Sequence, residues 1–119
     1  MKSRILVCGG RKYFDYMHVD HILDRGKARW FAESFCIIQG GAPGADALAK
    51  MWAKKNGVCC INIDANWDAY GNAAGAIRNT WMLDFGLPDL VIAFRGGPGT
   101  ANMIEQATKA GIDIWRVVQ

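Results

Sequence analysis

Five short runs of apolar, largely β-branched residues recur along the chain, at residues 4–8 (RILVC), 35–39 (FCIIQ), 58–63 (VCCINI), 90–94 (LVIAF) and 112–118 (IDIWRVV). Each is continuous rather than alternating, the pattern of strands covered on both faces. The intervals between them carry helical spacing. Val19, Ile22, Leu23, Gly26 and Trp30 mark the first helix; Ala45, Leu48, Ala49, Trp52 and Ala53 mark the second, stopped by Asn56-Gly57. Ala74, Ile77, Trp81 and Phe85 mark a third, ended by Gly86 and Pro88; Ile104, Ala107 and Thr108 mark a last one, ended by Gly111. The order βαβαβαβαβ predicts an α/β fold of three layers, a five-stranded parallel sheet with helices on both faces. At 119 residues, with no linker or repeat, residues 1–119 are expected to form one domain.

Three of these strands run into glycine-rich turns. They are Gly9-Gly10-Arg11-Lys12, Gly40-Gly41-Ala42-Pro43-Gly44-Ala45-Asp46, and Arg95-Gly96-Gly97-Pro98-Gly99-Thr100. In a parallel sheet all strand C-terminal ends share one edge, where open α/β sheets bind ligands. Glycine lets backbone N–H groups approach an anion, and a helix that starts there adds unpaired N–H groups. Any one such turn is explained equally well by tight βα connection. Three on one edge favour a phosphate-binding crevice.

Other features narrow the class. There is no GxxxxGK[ST], no GxGxxG after the first strand and no GxSxG, which argues against P-loop, dehydrogenase and acyl-transfer chemistry. The net charge of +3 sits in the first 33 residues, where seven Lys/Arg face four Asp/Glu. That is too mild to predict duplex DNA as a partner, and it suits a small phosphorylated ligand. No apolar run approaches membrane-spanning length, so no membrane association and no secretory leader are expected. Cys8, Cys36, Cys59 and Cys60 form no CxxC and fall in the strand runs, which predicts buried, reduced thiols and a cytoplasmic protein.

Individual side chains leave alternatives open. Asp46, near the start of its helix, either serves that helix end or holds ribose hydroxyls. Thr100 caps the last helix or donates to phosphate. Trp67 and Tyr70, in the polar stretch after the third strand, stack on a base or pack within the loop. Arg78, with Asn79 beside it, either points at the crevice to pair with phosphate or lies solvated on the surface. His18 and His21, with Asp15 and Asp24 nearby, are read as surface residues rather than a metal pair. No metal and no cofactor is expected. Five tryptophans are much apolar surface for so small a chain, and the faces carrying Trp30, Trp52 and Trp81 predict a homodimer or larger homo-oligomer.

The segments VCGGRKYFD, GGAPGADALAKMWA, WDAYGNAAGAIRNTWM and AFRGGPGTANM span residues 7 to 103, and in this order they resemble the YspA-type (cpYpsA-related) family of the SLOG superfamily. The resemblance implies a Rossmann-like domain that binds nucleotides or nucleotide-derived ligands of the NAD, ADP-ribose or nucleoside-phosphate class. It also implies a sensing or sequestering role and a phage or prophage origin. On this reading Gly9, Gly10, Gly40, Gly41, Gly44, Gly96, Gly97, Gly99 and Thr100 cradle phosphate. Arg11 and Arg78 supply charge, Asn79 joins them, Asp46 holds ribose, and Trp67 and Tyr70 lie against the ligand.

The superfamily also includes phosphoribohydrolases with a PGGxGTxxE motif and an upstream helical arginine, which Arg78 resembles. This chain has Arg95 where that group has proline, and Met103 where it has glutamate. Glu105, two residues along a helix, faces about 200° away. Cleavage of an N-glycosidic bond, with Asp46 and Arg78 as its catalytic residues, is therefore the alternative to binding. A DNA-binding or protein-interaction module is a second alternative.

Overall fold

The computed structural model describes residues 2–29, 31 and 34–117. Trp30 and Val118, the last residue of the fifth apolar run, lie outside them. The chain forms β1 (Lys2–Cys8), α1 (Tyr16–Arg29), β2 (Ser34–Gln39), α2 (Ala45–Lys55), β3 (Cys59–Asn62), α3 (Trp67–Tyr70), a 3-10 turn at Gly71–Ala73, α4 (Ala74–Asp84), β4 (Leu90–Ala93), α5 (Pro98–Lys109) and β5 (Asp113–Arg116). All four strand pairings are parallel, in the order β3-β2-β1-β4-β5. The predicted three-layer α/β fold with five parallel strands is the fold of the molecule. The connections reverse direction at β1, between β2 and β4, which places the topological switch point beside the end of the first strand.

Alternation along the central strands divides the core between two faces. Ile5 and Val7 of β1, Phe35 and Ile37 of β2, and Ile92 of β4 pack with Val19, Leu23, Ala49 and Trp52 from α1 and α2. Leu6 and Cys8, Ile38, and Val91 and Ala93 pack with Met82 and Leu83 of α4 and Met103 and Ala107 of α5.

Three expectations need correction. Trp52 is not spare surface for self-association. It is 1% exposed, and its indole N–H reaches the Asp24 carboxylate at 2.9 Å, so the core absorbs it. The outer runs are only partly covered: β3 and β5 are the sheet edges, and Cys60, Ile61, Ile114 and Trp115 pack half-buried against the two cores. Cys59 is exposed and Cys60 half-buried, whereas Cys8 and Cys36 are buried; none of the four is in a disulfide. The inner side of α4 is not the Ile77–Trp81–Phe85 face. Its buried residues are Ala74, Asn79, Met82 and Leu83, and Phe85 is 73% exposed. Inward-facing asparagine made this side unreadable from hydrophobicity. The shift rotates Arg78 toward the interior.

Candidate functional site

Gly10, at the end of β1, ties the three glycine turns together. Its N–H donates to the Arg95 carbonyl at 2.9 Å, and its carbonyl accepts from the Ala45 N–H at 3.1 Å. The backbones meet closely at two places. Gly44 adopts φ +83°, and any Cβ there would collide with the carbonyl of Gly10. At Gly96 a Cβ would strike the Thr100 hydroxyl and stand 2.7 Å from the Gly10 nitrogen. Glycine at these points allows the turns to dock on one another.

A cavity of about 960 Å³ opens at this edge. Its wall takes in Gly9, Gly10, Arg11, Asp46, Trp67, Arg78, Asn79, Gly96, Gly97, Gly99 and Thr100, so these sequence-selected residues come together in one place. Gly40, Gly41, Gly44 and Tyr70 are not among the lining residues. Gly40 lies under the Arg78 side chain and Gly41 against Asn62 and Asp64. Tyr70, the last residue of α3, packs edge-on against Trp81, with ring centroids 6.0 Å apart.

Asp46 is 6% exposed, and its Oδ2 accepts from the N–H groups of Gly40 at 3.1 Å and Ala42 at 3.3 Å. The carboxylate thus organises the second glycine turn. Burial raises its pKa above the ordinary carboxylate value. The Ala42 N–H, the Arg78 charge, the Gly40 N–H and the Arg11 charge act in the opposite direction. Arg78 donates from Nη1 to the Gly40 carbonyl, while its Nε is buried with no hydrogen-bond partner. Asn79, 4% exposed, donates from Nδ2 to the Gly99 carbonyl and to Asn102 Oδ1, both at 3.1 Å. Asn102 also accepts from Gln106 at 2.7 Å, and Gln106 accepts from the Thr80 hydroxyl at 2.8 Å. This ladder between α4 and α5 holds the last glycine turn.

Helix α5 starts at Pro98, with Gly97 as its N-cap and no side-chain cap. Thr100 therefore does not cap it. The orphan N–H groups of the first turn are left for a ligand. Pro98 has no N–H to leave unsatisfied and carries the φ a helix start requires.

Tyr13, Asn72, Arg95 and Asn102 also line the cavity and were not singled out from the sequence as site residues. Asn102 stands one helical turn before Gln106, which donates to it, and accepts from Asn79 on α4. Met103 is fully buried in the core, and Glu105 is exposed and paired with Lys109 at 3.0 Å. Neither brings a carboxylate to the cavity. His18 lies with its ring edge-on to Phe94 and its backbone N–H on Asp15. Among the described residues, no three His, Cys, Asp or Glu side chains gather as metal ligands, and no helix is long and apolar enough to cross a membrane.

The sequence profile of the family described as YspA, cpYpsA-related SLOG matches residues 3–70. The Gene 61 protein of Mycobacterium phage D29 is 32% identical over 119 aligned residues, covering 93% of each chain.

Proposed function

Because this chain belongs to the YspA, cpYpsA-related SLOG family, we propose that its cavity binds a nucleotide or nucleotide-derived ligand of the NAD, ADP-ribose or nucleoside-phosphate class. The observation that carries this reading is the convergence of the Gly9-Gly10 turn, the uncapped start of α5 and the Arg78 guanidinium on one cavity. A phosphate would take the N–H groups of Gly97, Gly99 and Thr100, with charge from Arg78. The Asp46 oxygen not used by the glycine turn would hold a ribose hydroxyl. The cavity volume suits a ligand of this size.

Binding is better supported than hydrolysis. A ribosyl cation forming in the transition state needs a carboxylate beside it. Met103 and Glu105 supply none, and one oxygen of Asp46 is already engaged by two backbone N–H groups. A sensing or sequestering role follows. The mycobacteriophage relative supports a phage or prophage origin, and four cysteines with no disulfide among them suit a reducing cytoplasm. Self-association stays part of the proposal, with Phe14, Tyr16, Met17, Phe85 and Leu87 among the exposed apolar residues that would serve in place of Trp52. A monomeric mass by light scattering would remove it.

The test is a thermal-shift panel of AMP, ADP, ATP, NAD, ADP-ribose, cyclic ADP-ribose and ribose 5-phosphate, with Arg78→Ala as control. A ligand at 100 times its Kd stabilises the folded state by about 2.7 kcal/mol. For a chain of this size that is a Tm rise on the order of 10 °C. A selective rise lost in Arg78→Ala is expected, and no rise with any compound would overturn the reading.

A further inference from the structure

The cavity wall has a second chemical character beside the first glycine turn. Trp67 is 48% exposed and lines the cavity. It stands at the start of α3, whose first turn is fastened by the Asn66 side chain accepting from the Ala69 N–H at 3.1 Å. The end of its indole lies over Gly75, where a Cβ would stand 3.6 Å from Cη2. Across from it, Arg11 comes from the turn after β1, and its guanidinium carbon is 5.8 Å from the Trp67 ring centroid. Both residues border the same cavity as the phosphate cradle.

We propose that Trp67 and Arg11 form a two-sided seat for a planar aromatic ring, the base of a nucleoside phosphate. This rests on the nucleotide reading of the cavity and assigns its base subsite. An indole and a guanidinium both present flat faces that stack on a nucleobase. An inserted ring needs about 7 Å between its neighbours, twice the carbon contact distance of ~3.5 Å. The present 5.8 Å therefore has to widen by only a small step. Arg11 is exposed and sits on a turn, so its side chain can move by that amount. Without ligand, the two groups satisfy each other through a cation–π contact. The division of labour between the arginines follows. Arg78 meets the phosphate, and Arg11 meets the base.

Calorimetric titration of AMP and of ribose 5-phosphate into the wild type, Trp67→Ala, Trp67→Phe and Arg11→Lys tests this. Trp67→Ala should weaken AMP roughly tenfold to a hundredfold and leave ribose 5-phosphate unchanged. Trp67→Phe should keep most of the AMP affinity. Arg11→Lys keeps the charge but loses the plane, and should weaken AMP several-fold with no change for ribose 5-phosphate. Equal weakening of both compounds by Trp67→Ala, or no weakening of AMP, overturns the base seat and leaves the phosphate cradle standing. Loss of ribose 5-phosphate in Arg11→Lys overturns the assignment of Arg11 to the base. Failure of the wild type to bind either compound overturns the nucleotide reading, and the base seat with it.

Discussion

Nη1 of Arg78, on α4, donates to the carbonyl oxygen of Gly40, at the end of β2, 38 residues away in sequence. The N–H of the same glycine is held by the Asp46 carboxylate. One residue at the mouth of the sheet is thus held at both its N–H and its carbonyl, by a carboxylate and a guanidinium whose residues also line the cavity.

Arg78→Ala should remove this grip and the charge together. A hydrogen bond from a charged donor contributes about 1.5–3 kcal/mol. Unfolding in urea should show a loss near the lower end of that range, since Arg78 is half-buried. Ligand-induced stabilisation should disappear. Arg78→Lys should recover part of the stability and little of the binding, because an ammonium cannot reproduce the planar fork.

The adjacent glycines Gly96 and Gly97 should answer differently to substitution. A Cβ at Gly96 meets Thr100 and Gly10, so Gly96→Ala should cost about 1–3 kcal/mol by overpacking. A Cβ at Gly97 meets nothing within 4 Å, and its φ of −100° suits any residue. Gly97→Val should keep the Tm within a few degrees and abolish the ligand-induced shift. A Gly97→Val protein that binds every nucleotide normally would remove this turn from the site.

Asp46 should impose a pH dependence on stability. Its folded pKa is raised by burial above the ordinary 3.8, so the folded state holds this proton more tightly than the unfolded chain. Its contribution is therefore greatest below pH 3.8 and is lost as pH climbs through the raised value. Asp46→Asn keeps an acceptor for the Gly40 and Ala42 N–H groups and carries no charge. Its stability relative to wild type should improve between pH 3.5 and pH 7, measured by urea unfolding at each. A constant difference across that range would contradict this. Asp46→Ala should lose about 1–3 kcal/mol at neutral pH, because two N–H groups lose their acceptor.

The thiols should label in order of exposure. The Cys8 pKa is pushed up to about 12 by burial and by the Asp46 charge, so its thiolate is scarce at pH 8. Cys59 is exposed on the edge strand. Alkylation of the native protein at pH 8, read by mass spectrometry, should modify Cys59 first and reach Cys8 and Cys36 only on unfolding.

The sheet was legible because its strands leave short uninterrupted apolar runs, separated by stretches of period-3.6 spacing. The convergence of Gly10, Gly97 and Thr100 followed from parallel topology alone, which puts every strand end on one edge. What escaped had physical reasons. Edge position exposes Cys59, and strand order is a tertiary property that no local pattern carries. The inner side of α4 mixes Met82 and Leu83 in the core with Asn79 and the half-buried Arg78 at the cavity, so a rule that equates inward with apolar missed it. Asn102 and Gln106 were invisible because their partners, Asn79 and Thr80, lie on another helix.

The first strand made is the one in the middle. β1 waits for β2 on one side and for β4, which begins at residue 90, on the other. A nascent chain stopped before β4 has the first two glycine turns and half a sheet, with one flank of β1 bare. The cavity straddles that seam and draws its wall from both halves. Binding competence should therefore arrive in a single step, late in synthesis. A ligand spanning the seam would fasten the two halves together, so its occupancy should slow unfolding of the whole domain rather than of one loop.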